Sequence, residues 1–340
     1  MSTSISLTSS IVLPEAPVIP GLKFRHFRGE ADYPVILDIF NACQVVDGSD
    51  STSTLESVAH NYSHLERCNP FTDMIFAEVD GQAVAYGRVW WSQEGAGEYI
   101  YYSLGWLKPE WRRKGIGTAI LRYLEQRIYE IAAQHPVKDD KFVQCSHNDL
   151  QVGLAALLKA NGYQEVRWGY LMSRLTTDPL PEAPMPPDLE VRPATQERIR
   201  PVWDALQEAF SESWGFVAGT EDTYQSWISG REFKPELWKV AWDGQEVAGM
   251  VLNFVDPDNP VVDGRKRGWT DPICVRKPWR RLGLARSLLV QSIQMFRELG
   301  FDETALGVDT QNPNHALTLY EGVGYKMVRK GTTYRKKLER

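Results

Sequence analysis

The sequence predicts a mixed α/β protein built twice on one plan, and three observations carry that prediction. The first is internal repetition. Trp111-Arg-Arg-Lys-Gly-Ile-Gly117 returns as Trp279-Arg-Arg-Leu-Gly-Leu-Ala285, Val79-Asp-Gly-Gln82 as Trp242-Asp-Gly-Gln245, and Gly162-Tyr163 as Gly324-Tyr325. The offsets, 168, 163 and 162 residues, keep one order and nearly one spacing, which marks a duplicated unit. The second is punctuation. Asp178 to Pro187 holds five prolines in ten residues, a stiff extended spacer that no core element tolerates. The third is that both copies mix runs of strand period with runs of helix period.

These observations divide the chain into a leader over residues 1–20, a domain over 21–177, the spacer over 178–187 and a domain over 188–340. The leader is rich in Ser and Thr, its apolar patch is broken by Pro14, Pro17 and Pro20, and no basic residue precedes that patch. It reads as a flexible leader rather than a signal peptide. Each domain opens on an extended segment such as Leu189-Glu-Val-Arg192, followed by helical stretches. A hairpin comes next: Leu237 to Trp242, an Asp243-Gly244 turn, and Glu246 to Leu252. A strand from Trp269 to Val275 then leads into a helix from Gly283 to Leu299. In the first copy the matching helix sets Ile116, Ile120, Leu124, Ile128 and Ile131 on one apolar face, the pattern of a helix lying on a sheet.

A chain of 340 residues, 43% hydrophobic and 24% charged, has the balance of a globular protein with real cores. A net charge of −6 argues against a nucleic-acid-coating role. Cys43, Cys68, Cys145 and Cys274 are scattered without a close pair, which reads as reduced thiols in a cytoplasmic protein. No apolar run reaches the roughly 18 residues that span a bilayer.

The informative junction is the strand, the turn Arg280-Arg-Leu-Gly283-Leu-Ala285, and the helix that follows. Small residues at 283 and 285 let a ligand approach the backbone. A helix starting there aims unpaired N–H groups and its positive dipole end into the same space. With flanking arginines, the physical expectation is a pyrophosphate site. A Walker loop is excluded because no lysine follows the second small residue, and a dinucleotide fingerprint because Ile120 stands where the third glycine belongs.

At this point the residues resemble the GNAT superfamily of acetyl-CoA-dependent N-acetyltransferases. The likeness lies in Val275-Arg-Lys-Pro-Trp-Arg280-Arg-Leu-Gly283-Leu-Ala285 and in Asn312-Pro-Asn-His-Ala316-Leu-Thr-Leu-Tyr320-Glu-Gly-Val-Gly324-Tyr325. The tandem arrangement resembles double-GNAT proteins of the mycothiol synthase type. The resemblance implies, in each domain, a mixed, mostly antiparallel sheet flanked by helices, with acetyl-CoA wedged where two strands splay. Ile273, Cys274 and Val275 would then bond the pantetheine arm through their backbones. Arg280, Arg281, Leu282, Gly283, Leu284, Ala285 and Arg286 would cradle the pyrophosphate, and Asn312 would contact the cofactor farther along. Tyr320 matches the family tyrosine that protonates the departing thiolate. Arg112, Arg113, Lys114, Gly115, Ile116, Gly117 and Thr118 are the corresponding loop of the first domain.

The implied chemistry needs a base for the incoming amine, N–H donors for the oxyanion and an acid for the leaving group. It needs no metal. Asp271, on the strand entering the site, is the candidate base, although a carboxylate at a strand end is commonly just solvated. Tyr320 likewise has a plain reading as core packing. The copies differ at the acid: Leu158 stands opposite Tyr320 and no asparagine stands opposite Asn312, so the second domain is expected to catalyse and the first to bind without turnover or to brace the fold. Glu212 and Trp214 are the acceptor-side candidates, with core packing or solvation as their plain alternatives. His60, His64 and Cys68 would share one face of a helix, but no fourth ligand is evident and no metal is expected. The leading expectation is an N-acetyltransferase acting on a small-molecule amine, as a monomer or homodimer. Its rivals are a silent acyl-CoA-binding protein and a protein acetyltransferase.

Overall fold

A computed structural model describes residues 11–48, 52–95, 97–136 and 139–339. The chain forms two compact units, one of residues 1–166 with 333–340 and the other of residues 167–332.

In unit 1 the elements run β1 (Leu22–Arg25), α1 (Tyr33–Asp47), α2 (Leu55–Ser63), α3 (Pro70–Asp73), β2 (Met74–Val79), β3 (Gln82–Gln93), β4 (Tyr99–Leu107), α4 (Ile116–Ala132), β5 (Lys141–Asn148) and α5 (Val152–Ala160). Strands β1 to β4 pair antiparallel in sequence order, and β5 lies parallel to β4. The predicted apolar stripe of α4 is the buried one: Ile116, Ile120, Leu124, Ile128 and Ile131 pack with Val89, Tyr101 and Val143 of the sheet. The other face is covered by α1 and α2 through Ile36, Ile39, Val58 and a run of aromatics.

The chain leaves unit 1 through β6 (Gln164–Leu175). Unit 2 then forms β7 (Glu190–Arg192), α6 (Ile199–Phe210), α7 (Glu221–Ser229), β8 (Lys239–Asp243), β9 (Glu246–Val251), β10 (Val261–Val262), β11 (Arg265–Trp269), β12 (Ile273–Val275), α8 (Leu284–Glu298), β13 (Glu303–Asp309) and α9 (Ala316–Gly322). One set of strands is ordered β12-β9-β8-β7, the other β6-β13-β11-β10. Among the described residues no helix is long and apolar enough to cross a membrane.

The last strand, β14 (Lys326–Lys337), carries the chain back into unit 1. There Arg335 bonds Glu94 at 2.6 Å and Gln144 at 2.8 Å, and the Leu338 N–H donates to Lys141 O at 3.0 Å. In exchange, residues 169–175 of β6 pair antiparallel with β13 in unit 2. The compact units therefore divide at 166 and 332 rather than at the proline spacer. The spacer gives a sequence-visible break, whereas the strand exchange rests on pairing between residues far apart in the chain.

Three further differences have local causes. Residues 1–10 of the expected flexible leader lie outside the described residues, but the rest is packed: Ile11 donates its N–H to Phe24 O at 2.7 Å, and Leu13, Ala16 and Ile19 rest on the unit 1 core. The single strand expected over 269–275 is two, β11 and β12, because the chain changes partner between them: Thr270 N–H donates to Ala305 O at 2.9 Å, while Pro272 O accepts from Leu252 N–H at 3.0 Å. In the second hairpin the turn is Gly244-Gln245, with Asp243 kept in β8 opposite Glu246. There Asp243 accepts from the indole N–H of Trp279 at 2.9 Å, an anchor the matching Asp80 turn does not need.

Candidate active site

The site of unit 2 is an opening in its strands. β11 pairs parallel with β13, but β12 pairs only with β9, so β12 and β13 part company just past Thr270. The bonds from Leu252 N–H to Pro272 O and from Arg276 N–H to Ala248 O, both 3.0 Å, fix which residues of β12 face β9. Alternate residues of an antiparallel pair share their bonds. Pro272, Cys274 and Arg276 therefore spend their backbones on β9, and Ile273 and Val275 turn theirs toward the opening. Cys274 is thus removed from the backbone contacts expected of it. Its side chain is buried against the α6 core, where burial pushes the thiol up to about 12.

The glycine turn follows. Arg281 (φ 65°) and Gly283 (φ 86°) both lie in the left-handed region, which folds successive N–H groups into a concave nest at the start of α8. A side chain at 283 would meet no atom within 4 Å, so the nest stands open. Leu284 is buried and anchors the helix, Ala285 is half-buried, and Leu282 is 57% exposed. The first arginine is structural: Arg280 donates from Nε to Val275 O at 3.0 Å and from Nη1 to Glu212 at 3.3 Å. Glu212 also pairs with Lys277 at 2.7 Å, and these two cations, Lys277 foremost, hold its carboxyl below the ordinary value. Glu212, expected on the acceptor side, is thus ion-paired at the loop. Arg281 and Arg286 make no ion pair among the described residues, so they are the loop's available cations. Arg286 reaches α9, where its Nη2 lies 3.2 Å from the point a Cβ on Gly322 would occupy.

Two titratable side chains meet at the opening. Asp271 sits between β11 and β12 and accepts from Gly307 N–H of β13 at 3.2 Å. Burial outweighs that bond and pushes its carboxyl up to about 6. Tyr320, 7% exposed on α9, is raised by burial first and then by the nearby Asp271, Tyr325 and Cys274. Its hydroxyl has no hydrogen-bond partner among the described residues. Its neighbour Tyr325 is the reverse: its hydroxyl is tied to Thr270 and Thr304, each at 2.8 Å. One phenol braces the sheet and the other is unspent.

Asn312 is half-buried, and its side-chain oxygen accepts from Asn314 N–H at 2.8 Å, turning the chain into α9. Its NH₂ remains for a ligand. Trp214, 39% exposed, lies under the Arg167 guanidinium at 5.1 Å, and Arg167 forks onto Asp309 at the end of β13. Sequence reading missed Arg167 and Asp309, because a pair 142 residues apart leaves no local pattern.

Unit 1 repeats the loop with the same backbone: Arg113 has φ 62° and Gly115 φ 88°. Arg112 donates to Leu107 O at 3.2 Å, as Arg280 does to Val275 O, and forks onto Asp47 at 2.5 and 3.0 Å where Arg280 makes a single bond to Glu212. Lys114 rests on the Trp111 ring at 4.4 Å; Ile116 is buried, and Gly117 has Leu107 and Leu157 as neighbours. The differences are pointed. Pro17 lies 3.1 Å from the place a Cβ on Gly115 would take. By the 168-residue offset Thr118 stands for Arg286 and Ser103 for Asp271; by the 162-residue offset of the Gly-Tyr pair Leu158, fully buried, stands for Tyr320. The helix over His60 ends at Ser63, with His64 as its cap and Cys68 beyond it, so the three do not share one helical face.

Residues 34–148 and 200–325 match the Acetyltransferase (GNAT) family. A GCN5-related N-acetyltransferase from Sphaerobacter thermophilus is similar in structure over 93% of this chain and 95% of its own, with 24% identity and a TM-score of 0.71. A tandem GNAT protein from the clavulanic acid biosynthesis pathway is similar over 93% and 98%, with 14% identity and a TM-score of 0.61. The glucosamine N-acetyltransferase region of a fungal multi-domain GH3 beta-N-acetylglucosaminidase is similar over 94% of this chain and 38% of that one, with 13% identity and a TM-score of 0.67. No curated protein matches the chain.

Proposed function

The chain belongs to the GNAT acetyltransferase family, and from that premise we propose that unit 2 moves an acetyl group from acetyl-CoA to the primary amine of a small molecule, with Tyr320 as general acid. The family fold is that of acyl-CoA-dependent acyltransferases, and the chain is one of them. The observation that carries the finer reading is the unspent Tyr320 hydroxyl beside Asp271, at the point where β12 leaves β13.

The residues present fit the cofactor. The open nest at 281–283 and the cations Arg281 and Arg286 suit a pyrophosphate. The outward backbones of Ile273 and Val275 suit an extended amide arm, and the Asn312 NH₂ offers one more donor. Bound acetyl-CoA supplies a thioester carbonyl for attack and a thiolate that must be protonated. Tyr320 is a neutral phenol at physiological pH, since burial raises it, and it holds the proton that the thiolate needs. Asp271, ionised above about pH 6, takes the proton that the amine must lose. Unit 1 does not turn over in this reading, because Leu158 offers no proton.

Thiol release from acetyl-CoA, followed with a panel of small primary amines and a panel of peptides, tests the acceptor. Turnover with amines supports the reading; turnover with peptides alone replaces it with protein acetylation.

Asp271 makes a separate prediction. For the wild type, kcat/KM should climb as pH rises through about 6, and Asp271→Asn should lose that limb along with most of the rate. Stability moves the other way. A carboxyl whose folded pKa lies above its unfolded value costs folding free energy that builds as pH rises from the unfolded pKa to the folded one and is full above it. Asp271→Asn should therefore raise Tm at pH 8, by the equivalent of about 1–2 kcal/mol after discount for partial exposure, and leave it unchanged at about pH 3, below the ordinary carboxylate value. An unchanged rate profile would remove Asp271 as the base even if the Tm shift appears.

A further inference from the structure

We infer that unit 1 carries a binding site for a small carboxylate, built on Arg88. This residue lies on β3, on the α1–α2 side of the sheet and away from the glycine turn. Its guanidinium carbon sits 5.2 Å from the Tyr62 ring centroid and 5.2 Å from that of Trp90. Tyr62 comes from α2 and is braced by Phe27 at 5.8 Å and Tyr33 at 5.5 Å. Trp90 is stacked on Tyr102 of β4, 5.0 Å apart and 10° from parallel. The cation is therefore held by aromatic rings that are themselves fixed.

Rings attract the faces of a guanidinium rather than its in-plane N–H groups, and here one of those groups is within hydrogen-bond reach of the Tyr62 hydroxyl. Among the described residues the buried Arg88 Nε has no hydrogen-bond partner, and no carboxylate pairs with the side chain. Other arginines of unit 1 show what this position lacks. Arg25 is paired with Asp32 and Glu78, Arg112 with Asp47, Arg127 with Asp73, and Arg335 with Glu94. A partly desolvated cation without a counter-charge is costly. The planar fork of its donors matches a carboxylate held by two parallel bonds.

The neighbouring groups do not supply that charge. Burial pushes the Tyr62 hydroxyl and the Cys68 thiol up to about 12 each, so both are neutral at pH 7. Asp73 is committed to Arg127 and to the Asn69 N–H. The fold does not require a cation here either. Arg88 pairs with Leu104, three residues before Leu107; in unit 2 the residue bonded three before Val275 is Leu252, which is buried. The arginine belongs to unit 1 alone, the unit without an acid at the Tyr320 position. The aromatic walls favour a carboxylate on a flat apolar body.

Benzoate is the probe, titrated into the full chain and followed by calorimetry and tryptophan fluorescence. Saturable binding should weaken at least about tenfold in Arg88→Met and less in Arg88→Lys, which keeps the charge but loses the fork. It should be unchanged in Gly283→Glu, which separates this site from the acetyl-transfer reading. Should Arg88→Met fail to fold, the wild-type arginine Nε–H signals decide: benzoate should shift one of them strongly downfield. Three results would overturn the assignment. They are no saturable benzoate binding up to about 10 mM, binding that Arg88→Met leaves intact, or binding of inorganic phosphate without benzoate.

Discussion

Tyr320→Phe should lower kcat by about a hundredfold or more, while KM for acetyl-CoA and Tm stay close to the wild type. The reasoning is one of hydrogen-bond accounting. The Tyr320 ring fills a place among Leu289, Ile293 and Val323 that a phenylalanine fills equally well, and its hydroxyl bonds to nothing that its removal would strand. The same change at Tyr325 is the control. There the lost hydroxyl leaves the Thr304 side chain short of a partner in a buried site, while Thr270 keeps its bond to Ala305 O, at a cost of about 1–3 kcal/mol. Tyr325→Phe should thus lower Tm and spare kcat, the reverse of Tyr320→Phe. If Tyr320→Phe retains full kcat, the residue is packing and the proton comes from elsewhere.

Gly283→Glu should abolish detectable acetyl-CoA binding to unit 2, a loss beyond about a hundredfold, and abolish turnover with it. Two effects add. A non-glycine residue at φ 86° strains the nest by about 1–2 kcal/mol. Its carboxylate then stands at a helix start built to receive negative charge, and repels it. Because no atom lies within 4 Å of the new Cβ, the protein should stay folded and the loss should be one of binding. Gly115→Glu is the paired test. Pro17 blocks the new side chain there, so unit 1 should lose stability, yet acetyl transfer should persist. Calorimetry of both variants beside the wild type reads the number of sites directly. Full turnover in Gly283→Glu with loss in Gly115→Glu would move the active site to unit 1.

What the sequence made legible was whatever repeats locally. The glycine turn, the helix after it and the difference between Tyr320 and Leu158 lie within short windows, and the duplicated copy doubles the signal. Asp271 and Tyr320 could be named separately but not brought together, since 49 residues and three elements, β12, α8 and β13, separate them. Arg280 and Glu212 show the opposite failure. Residue type suggested a phosphate ligand and an amine ligand, whereas Arg280 is engaged by Val275 O and Glu212, and Glu212 by Lys277 and Arg280, contacts that only tertiary packing decides. Cys274 was named with its neighbours because strand membership can be read from sequence, but the side of the ladder each backbone faces depends on register. Arg88 went unnoticed for a similar reason: one arginine in a strand looks solvated until the rings around it are seen.

The strand exchange has a consequence for biosynthesis. A nascent chain emerges amino end first, at about 5–20 residues per second. The portion of unit 1 encoded first, residues 1–166, must wait for all of unit 2 before residues 333–340 arrive. At that speed the delay is roughly 10–30 s. Throughout it the outer edge of β5 has no partner and Glu94 has no Arg335, so this half dwells on the ribosome with an open template for wrong pairing. Loss of residues 333–340 would thus harm the half of the protein that was made first.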